Sequence, residues 1–222
     1  MSAEHRAGLV CVHADDSLLV LDKPAGLLCV PGRGPDKQDC LSARAQALWP
    51  DALIVHRLDQ PTSGLVLMAR SLPMQRALSQ AFAERQVHKR YQAVVAGRLQ
   101  PDASTDGHGW SLIDLPIAAD WERRPLRIVD AERGQPSLTR WRVLARGHAN
   151  DTTRVELEPV TGRTHQLRVH LAALGHPILG DMLYADAATQ ARAPRLLLHA
   201  CALGFMHPIS GEECSYLSEP PF

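Results

Sequence analysis

The sequence contains no apolar run approaching the roughly 18 residues that a membrane-crossing helix needs. Its opening residues, MSAEHRAGLVCVHADD, lack the apolar core and small-residue cleavage site of a secretory signal, so the cytoplasm is the expected compartment. The five cysteines (Cys11, Cys29, Cys40, Cys201 and Cys214) are odd in number, scattered, and never spaced C-x-x-C. That excludes a disulfide framework and a zinc knuckle and leaves small buried hydrophobes or inert thiols. There is no G-x-G-x-x-G and no P-loop, hence no cradle for a dinucleotide or a nucleoside triphosphate, and no cofactor is expected. No segment of 20 to 50 residues repeats, which removes solenoids and propellers. Net charge is absent too: 24 basic residues balance 24 acidic ones, so the chain does not hold nucleic acid by bulk charge. Lysine is nearly missing. Lys23, Lys37 and Lys89 are the only three, and the other basic residues are arginines, suited to bidentate contact with phosphate and to stacking on bases.

What is present is an ordinary globular composition: 222 residues, 45% apolar and 22% charged. That is enough for one sizeable core, and with no clear linker a single domain over 1–222 is expected. LVCVHADDSLLVLDKPAGLL reads as two strands around an Asp-Asp turn, closed by Pro24-Ala25-Gly26. Residues 40 to 49 carry helical spacing through Leu41, Ala45 and Leu48, stopped by Pro50. A second helix starts after Ser71, a good N-cap, with Leu78 and Phe82 on one face. Strands are expected at Ile54-Val55, Leu65 to Met68, Tyr91 to Val95, Ser111 to Ile117, Leu138 to Leu144, Thr153 to Leu157 and Arg195 to Phe205. A short helix with Leu167, Leu171 and Leu174 in register ends at Gly175. Strands outnumber helices and do not alternate with them. The fold class is therefore α+β, a mixed and mostly antiparallel sheet flanked by helices and loops, not a Rossmann-type α/β fold.

Three segments stand out chemically. VHRLDQPTSGLVLMAR, residues 55 to 70, places His56, Arg57 and Asp59 between two apolar runs, where a plain hairpin needs only turn formers. Asp59 is either such a turn former or a poised nucleophile or acid. HKRYQAVVAG, residues 88 to 97, sets Tyr91 at the start of a strand beside Arg90. VTGRTHQLRVHLAALGHPILGD, residues 160 to 181, packs Arg163, His165, Gln166, Arg168 and His170 into eight positions. Arg163 lies just before a helix N-terminus, where an anion is welcome. His165 and His170, five apart, fall on different helix faces, so no metal site is expected.

Taken together these segments resemble the RluA family of RNA pseudouridine synthases, through HRLDQPTSG, KRYQAVVAG and GRTHQLRVHLAALGHPILGD, with LVLDKPAGLLCVPG and RLLLHA extending the match over nearly the whole chain. The chain is similar to the short branch that carries no S4-type RNA-binding domain and acts on 23S ribosomal RNA and tRNA. The resemblance implies the pseudouridine synthase fold and roles at matched positions. Asp59 corresponds to the essential aspartate, and Tyr91 to the tyrosine that stacks on the target base and is a candidate proton acceptor. Arg163 corresponds to the arginine that pairs with the aspartate. Arg57 corresponds to an arginine that fills space near the displaced base, and Leu198 to an apolar residue that lines the uracil pocket. His56, Arg90, Gln166 and Arg168 join Arg57 and Leu198 as candidates for RNA or base contact, although a structural hydrogen-bonding role suits His56 better.

The residues fit that chemistry. Detaching uracil, turning it and rejoining it through carbon needs a carboxylate kept ionised in a partly dry pocket, and a nearby guanidinium offsets the desolvation. A flipped base needs a stacking partner and a filler for the gap it leaves. A neutral chain must bind RNA through a local basic surface, for which Arg90, Arg123, Arg124, Arg127 and Arg168 are candidates, and such binding weakens with salt. Gln135 stands where relatives often carry lysine, and the ending SYLSEPPF is looser than the family's. Two other readings remain: a non-catalytic RNA-binding or remodelling protein on the same fold, and a hydrolase using Asp59, for which no motif supplies the second-step base. RNA is the expected partner, no membrane is involved, and a monomer is the default.

Overall fold

The computed structural model describes residues 4–6, 8–101, 105–147 and 151–222. In chain order the first elements are β1 (Glu4–Arg6), β2 (Leu9–Ala14), β3 (Leu18–Lys23), α1 (Leu41–Leu48), β4 (Leu53–Ile54), β5 (Ser63–Ala69), α2 (Leu72–Ala83) and β6 (His88–Ala96). There follow β7 (Ser111–Asp114), β8 (Ile117–Ala119), β9 (Arg127–Val129), β10 (Leu138–Gly147), β11 (Thr152–Pro159), α3 (Gln166–Ala173), α4 (Ala187–Gln190), β12 (Leu198–Met206) and β13 (Glu213–Leu217). The α+β class expected from the sequence is what the chain adopts. It divides into two compact units, one of Met1–Lys89 with Ala200–Pro221, the other of Arg90–His199 with Phe222.

In the first unit the strand order is β1-β2-β3-β5-β12, with β4 also on β5 and β13 on β12. The pairs β1/β2, β2/β3, β3/β5, β4/β5 and β12/β13 are antiparallel. The Asp-Asp turn forms because Asp15 Oδ1 accepts the backbone N–H groups of Ser17 (2.7 Å) and Leu18 (2.8 Å), reversing the chain between β2 and β3. Helix α2 starts as its sequence dictates: Ser71 Oγ accepts the Met74 N–H at 3.3 Å, and Met74 and Leu78 are buried. They pack with Leu18, Val20, Leu65, Leu67 and Phe205 in one core, to which Phe82 adds its ring. Every residue of β5 is buried, so its continuous apolar run reflects cover on both faces.

In the second unit the order is β6-β11-β10-β7, all antiparallel, with a separate ribbon of β8 and β9. Strand β11 alternates: Thr153, Val155, Leu157 and Pro159 are buried while Arg154, Glu156 and Glu158 are half-buried on the other face. The apolar face joins Ala93, Val95, Trp141, Leu167, Leu171 and Leu198 in a second core.

The structure departs from expectation in a few places. The single strand expected at Ser111 to Ile117 is two, broken at Leu115-Pro116, because proline has no N–H for the ladder. The loop after it holds the unexpected strand β9. The last long strand begins at Leu198 rather than Arg195, and Leu174 is exposed, beyond the last turn of α3. The C-terminal segment is firmly placed: β13 pairs β12, and Ser218 Oγ bonds to Asp22 Oδ2.

Candidate active site

The loop carrying Asp59 joins β4 to β5 in the first unit and is held from below at three points. His56 Nε2 accepts the Leu67 N–H at 2.9 Å, and its ring stacks on Phe82 with centroids 4.4 Å apart. Desolvation, and secondarily the charge of Lys89, lowers its pKa to about 3, so the ring is a neutral acceptor at ordinary pH. His56 is thus an anchor of the loop. A base-contact role for His56 gives way to the structural one, since Nε2 is engaged and the ring is packed.

The second point is Leu58, buried between exposed Arg57 and half-buried Asp59. Its N–H donates to Cys29 Sγ at 3.2 Å and its carbonyl accepts from that thiol at 3.3 Å. Burial pushes the Cys29 thiol up, which keeps it protonated and able to donate. Leu58 thus plugs inward, while Arg57 is exposed and Asp59 stays half-buried.

The third is Lys23, whose side chain is fully buried. Its Nζ donates to the carbonyls of Leu27 (2.8 Å), Pro24 (2.9 Å) and Gln60 (3.1 Å), matching the three N–H donors of an ammonium. Gly26 N–H and Gln60 Nε2 tie the same two loops together at 2.9 and 3.0 Å. Past Asp59 the chain reverses through Thr62 N–H to Asp59 carbonyl at 3.1 Å, and Thr62 and Ser63 are buried. Gly64 follows at φ 113°, and a Cβ there would lie 2.3 Å from the Ala200 carbonyl oxygen, so no larger residue fits.

Tyr91, Arg163 and Leu198 belong to the second unit. Tyr91 sits on β6 opposite Leu157 and packs half-buried on the core that contains Leu198, so these two share one apolar cluster. Arg163 stands on the loop between β11 and α3, with its side chain exposed. Its backbone N–H donates to Gln166 Oε1 at 3.0 Å, which also accepts from Thr161 Oγ1 at 2.7 Å. Gln166 Nε2 donates to the Leu138 carbonyl (2.9 Å) and Thr139 Oγ1 (3.0 Å). Buried and committed to four partners, Gln166 shapes the Arg163 loop and does not reach RNA, which corrects its assignment. His165 takes the left-handed conformation, φ 58°, and its Nδ1 meets the Tyr184 hydroxyl at 2.6 Å; that hydroxyl also accepts the Arg127 N–H at 3.0 Å.

Two arginines expected on an RNA-binding surface are not available there. Arg168 is 2% exposed and forms a bidentate pair with fully buried Asp181, Nε to Oδ2 at 2.8 Å and the second nitrogen to Oδ1 at 2.6 Å. Asp181 also accepts the N–H groups of Leu183 and Tyr184, so the pair fixes the loop that carries Tyr184. Arg90 is half-buried on the polar sheet face, 3.5 Å from Glu156 and 3.3 Å from Glu158, with its guanidinium 4.6 Å from the Trp110 ring centroid. Arg140 and Arg142 stack on the same indole and pair with the same carboxylates. That charge is spent inside the protein.

A cleft of about 460 Å³ opens beside Arg163 in the second unit. Its walls include Ile117, Trp121, Arg127, Arg133 and Gln135, so Gln135, standing where relatives often carry lysine, faces it. Lys23, Cys29, Trp110, Trp121, Asp181 and Tyr184 were not singled out from sequence. Only Lys23 left a trace there, as a lysine ending an apolar strand.

Residues 17–173 match the family model described as RNA pseudouridylate synthase. The chain is 47% identical over 211 residues to the dual-specificity RNA pseudouridine synthase RluA of Pasteurella multocida, covering 95% of this chain and 93% of that one. It is 44% identical over 214 residues to the protein of the same name from Escherichia coli K12, covering 96% and 94%. Among solved structures, human RNA pseudouridylate synthase domain containing 1 superposes with a TM-score of 0.80 at 30% identity, over 100% of this chain and 87% of that one. The motifs, the α+β fold and these likenesses agree: the chain belongs to the RNA pseudouridylate synthase family.

Proposed function

We propose that the chain isomerises uridine to pseudouridine in structured RNA with Asp59 as nucleophile, and that its substrates are a 23S ribosomal RNA loop, a tRNA anticodon loop, or both. The observation that carries the reading is the mounting of Asp59. A buried lysine, a thiol and a neutral imidazole clamp the backbone around it, while Leu58 is buried and Asp59 is left half-buried beside exposed Arg57. A turn former needs no such support; a carboxylate that must keep its aim does.

The reaction balances without a cofactor. The N1–C1′ bond breaks, a C5–C1′ bond forms, C5 loses its proton and N1 gains one. Asp59 covers the electron-poor centre between the two bonds. Arg163 offsets the cost of holding a carboxylate in a partly dry site. Tyr91 stacks on the flipped base and takes up the C5 proton, Leu198 lines the uracil pocket, and Arg57 fills the gap in the RNA. The double target is supported by relatives 44–47% identical that are named dual-specificity RNA pseudouridine synthases. A monomer working in the cytoplasm is part of the same reading.

The test is a nucleoside-level map of pseudouridine in unmodified tRNA and 23S rRNA transcripts treated separately with the purified chain. New pseudouridine in both supports dual specificity; product in one narrows the substrate to it. No product in either, with RNA still bound, would overturn the reading for these RNAs.

A further inference from the structure

The cleft beside Arg163 has an aromatic residue at its rim and an excess of positive charge. Trp121, on the loop between β8 and β9, is 70% exposed, unusual for the largest side chain. Arg124 lies over one face of its indole, 4.1 Å from the ring, which leaves the other face to solvent.

The acids near the cleft are already neutralised. Asp120 is paired with Arg123 at 2.7 Å and Asp130 with Arg133 at 2.8 Å. Glu122 and Glu132 stand exposed on the same loops but line no part of the cleft. Among the described residues, Arg124 and Arg127 have no carboxylate partner, and Arg127 Nε is buried with no hydrogen-bond partner at all. A buried donor left unmet costs stability unless a ligand satisfies its group. Ile117, Ala118 and Ala119 give the cleft an apolar wall, and its 460 Å³ is in the range of small-ligand sites.

An exposed indole, unpaired guanidinium groups and an apolar wall suit a planar base attached to a phosphate. The cleft does not include Tyr91 or Leu198, where the target uracil is placed above. We propose that this cleft seats a second, unmodified nucleotide of the substrate RNA, its base stacked on the free face of Trp121 and its phosphate held by Arg127. The proposal rests on the reading of the chain as a pseudouridine synthase. The cleft would then select the RNA by requiring a nucleotide near the target to be splayed out as well.

The test uses the full chain and a synthetic RNA stem-loop containing the uridine that the wild type modifies, together with a set in which each other nucleotide is made abasic in turn. Trp121→Ala is expected to weaken RNA binding and raise KM by roughly 5- to 100-fold with kcat little changed, and Trp121→Phe to restore most of the loss. One abasic RNA, lacking a base other than the target, should lose a comparable factor with the wild type and lose nothing further with Trp121→Ala. Trp121 is exposed on a loop, so a merely structural effect would lower affinity equally for every RNA in the set.

The proposal is overturned if Trp121→Ala matches the wild type on the intact stem-loop, or if its loss is uniform across the abasic set. In either case wild-type pseudouridine formation would stand, separating this failure from failure of the functional reading. A wild type that modifies no RNA overturns both.

Discussion

Lys23 Nζ and the Gln60 carbonyl, 37 positions apart in sequence, meet at 3.1 Å beneath the loop that carries Asp59. The same ammonium holds Pro24 and Leu27, so one buried side chain fixes two loops. Lys23→Met keeps the length and apolar stem but leaves the Pro24 and Leu27 carbonyls without their donor and the Gln60 carbonyl with the Gly26 N–H alone. A loss of about 2 kcal/mol or more in stability is expected, since each buried polar group left unmet costs about 1–3 kcal/mol. Denaturant unfolding measures it, and pseudouridine formation should slow even at temperatures where the variant is folded.

His56 gives the fold a pH dependence whose sign follows from its depressed pKa. The folded ring titrates at about 3 and an unfolded one near 6.5, so the unfolded chain binds more protons between those values. The contribution of His56 is complete above about pH 6.5 and is lost as pH falls toward 3, at up to about 1.4 kcal/mol per unit. His56→Gln should therefore be less stable than wild type at pH 7, with the gap narrowing as pH is lowered. Unfolding curves at a series of pH values for both proteins check it, and a gap independent of pH would count against a neutral buried ring.

Arg168 and Asp181 form a buried pair in which either partner alone would be a stranded charge. Arg168→Leu or Asp181→Leu is expected to cost about 3–5 kcal/mol, and the double variant less than the two single losses added together. A double-mutant cycle by chemical unfolding reads this directly. If Arg168 contacted RNA instead, its replacement would weaken RNA binding and leave stability near wild type.

Arg163 is exposed, its backbone N–H pinned by Gln166 and its Nε 3.4 Å from the Pro136 carbonyl, and it is the group proposed to compensate the Asp59 carboxylate. Arg163→Lys keeps the charge and loses the planar fork, so activity should fall by an order of magnitude or more while the fold is unchanged. Single-turnover rates together with a thermal melt separate the two.

The sequence made local order legible. Apolar runs on either side of an Asp-Asp turn announced β2 and β3, alternation suits β11, Ser71 announced the start of α2, and Pro50 and Gly175 marked two helix ends. Asp59, Arg57, Tyr91 and Arg163 could be picked out because their neighbours form motifs. What stayed hidden depends on partners distant in sequence or across strands. Arg168 read as surface charge because nothing near it reveals Asp181, and Arg90 because Glu156 and Glu158 reach it only through the pairing of β6 with β11. Strand β9 was lost in a loop rich in Arg and Pro, since three residues carry no period. Trp121 was passed over there for the same reason, its exposure being a property of the folded loop.

Asp59 is the group proposed to react. The direct measurement is single-turnover release of tritium from RNA containing [5-³H]uridine, with wild type or Asp59→Asn in excess and RNA binding measured alongside. Wild type should release the C5 label at the target uridine, while Asp59→Asn binds the RNA within a few-fold of wild type and releases none. Release by Asp59→Asn at a rate near wild type would contradict the account.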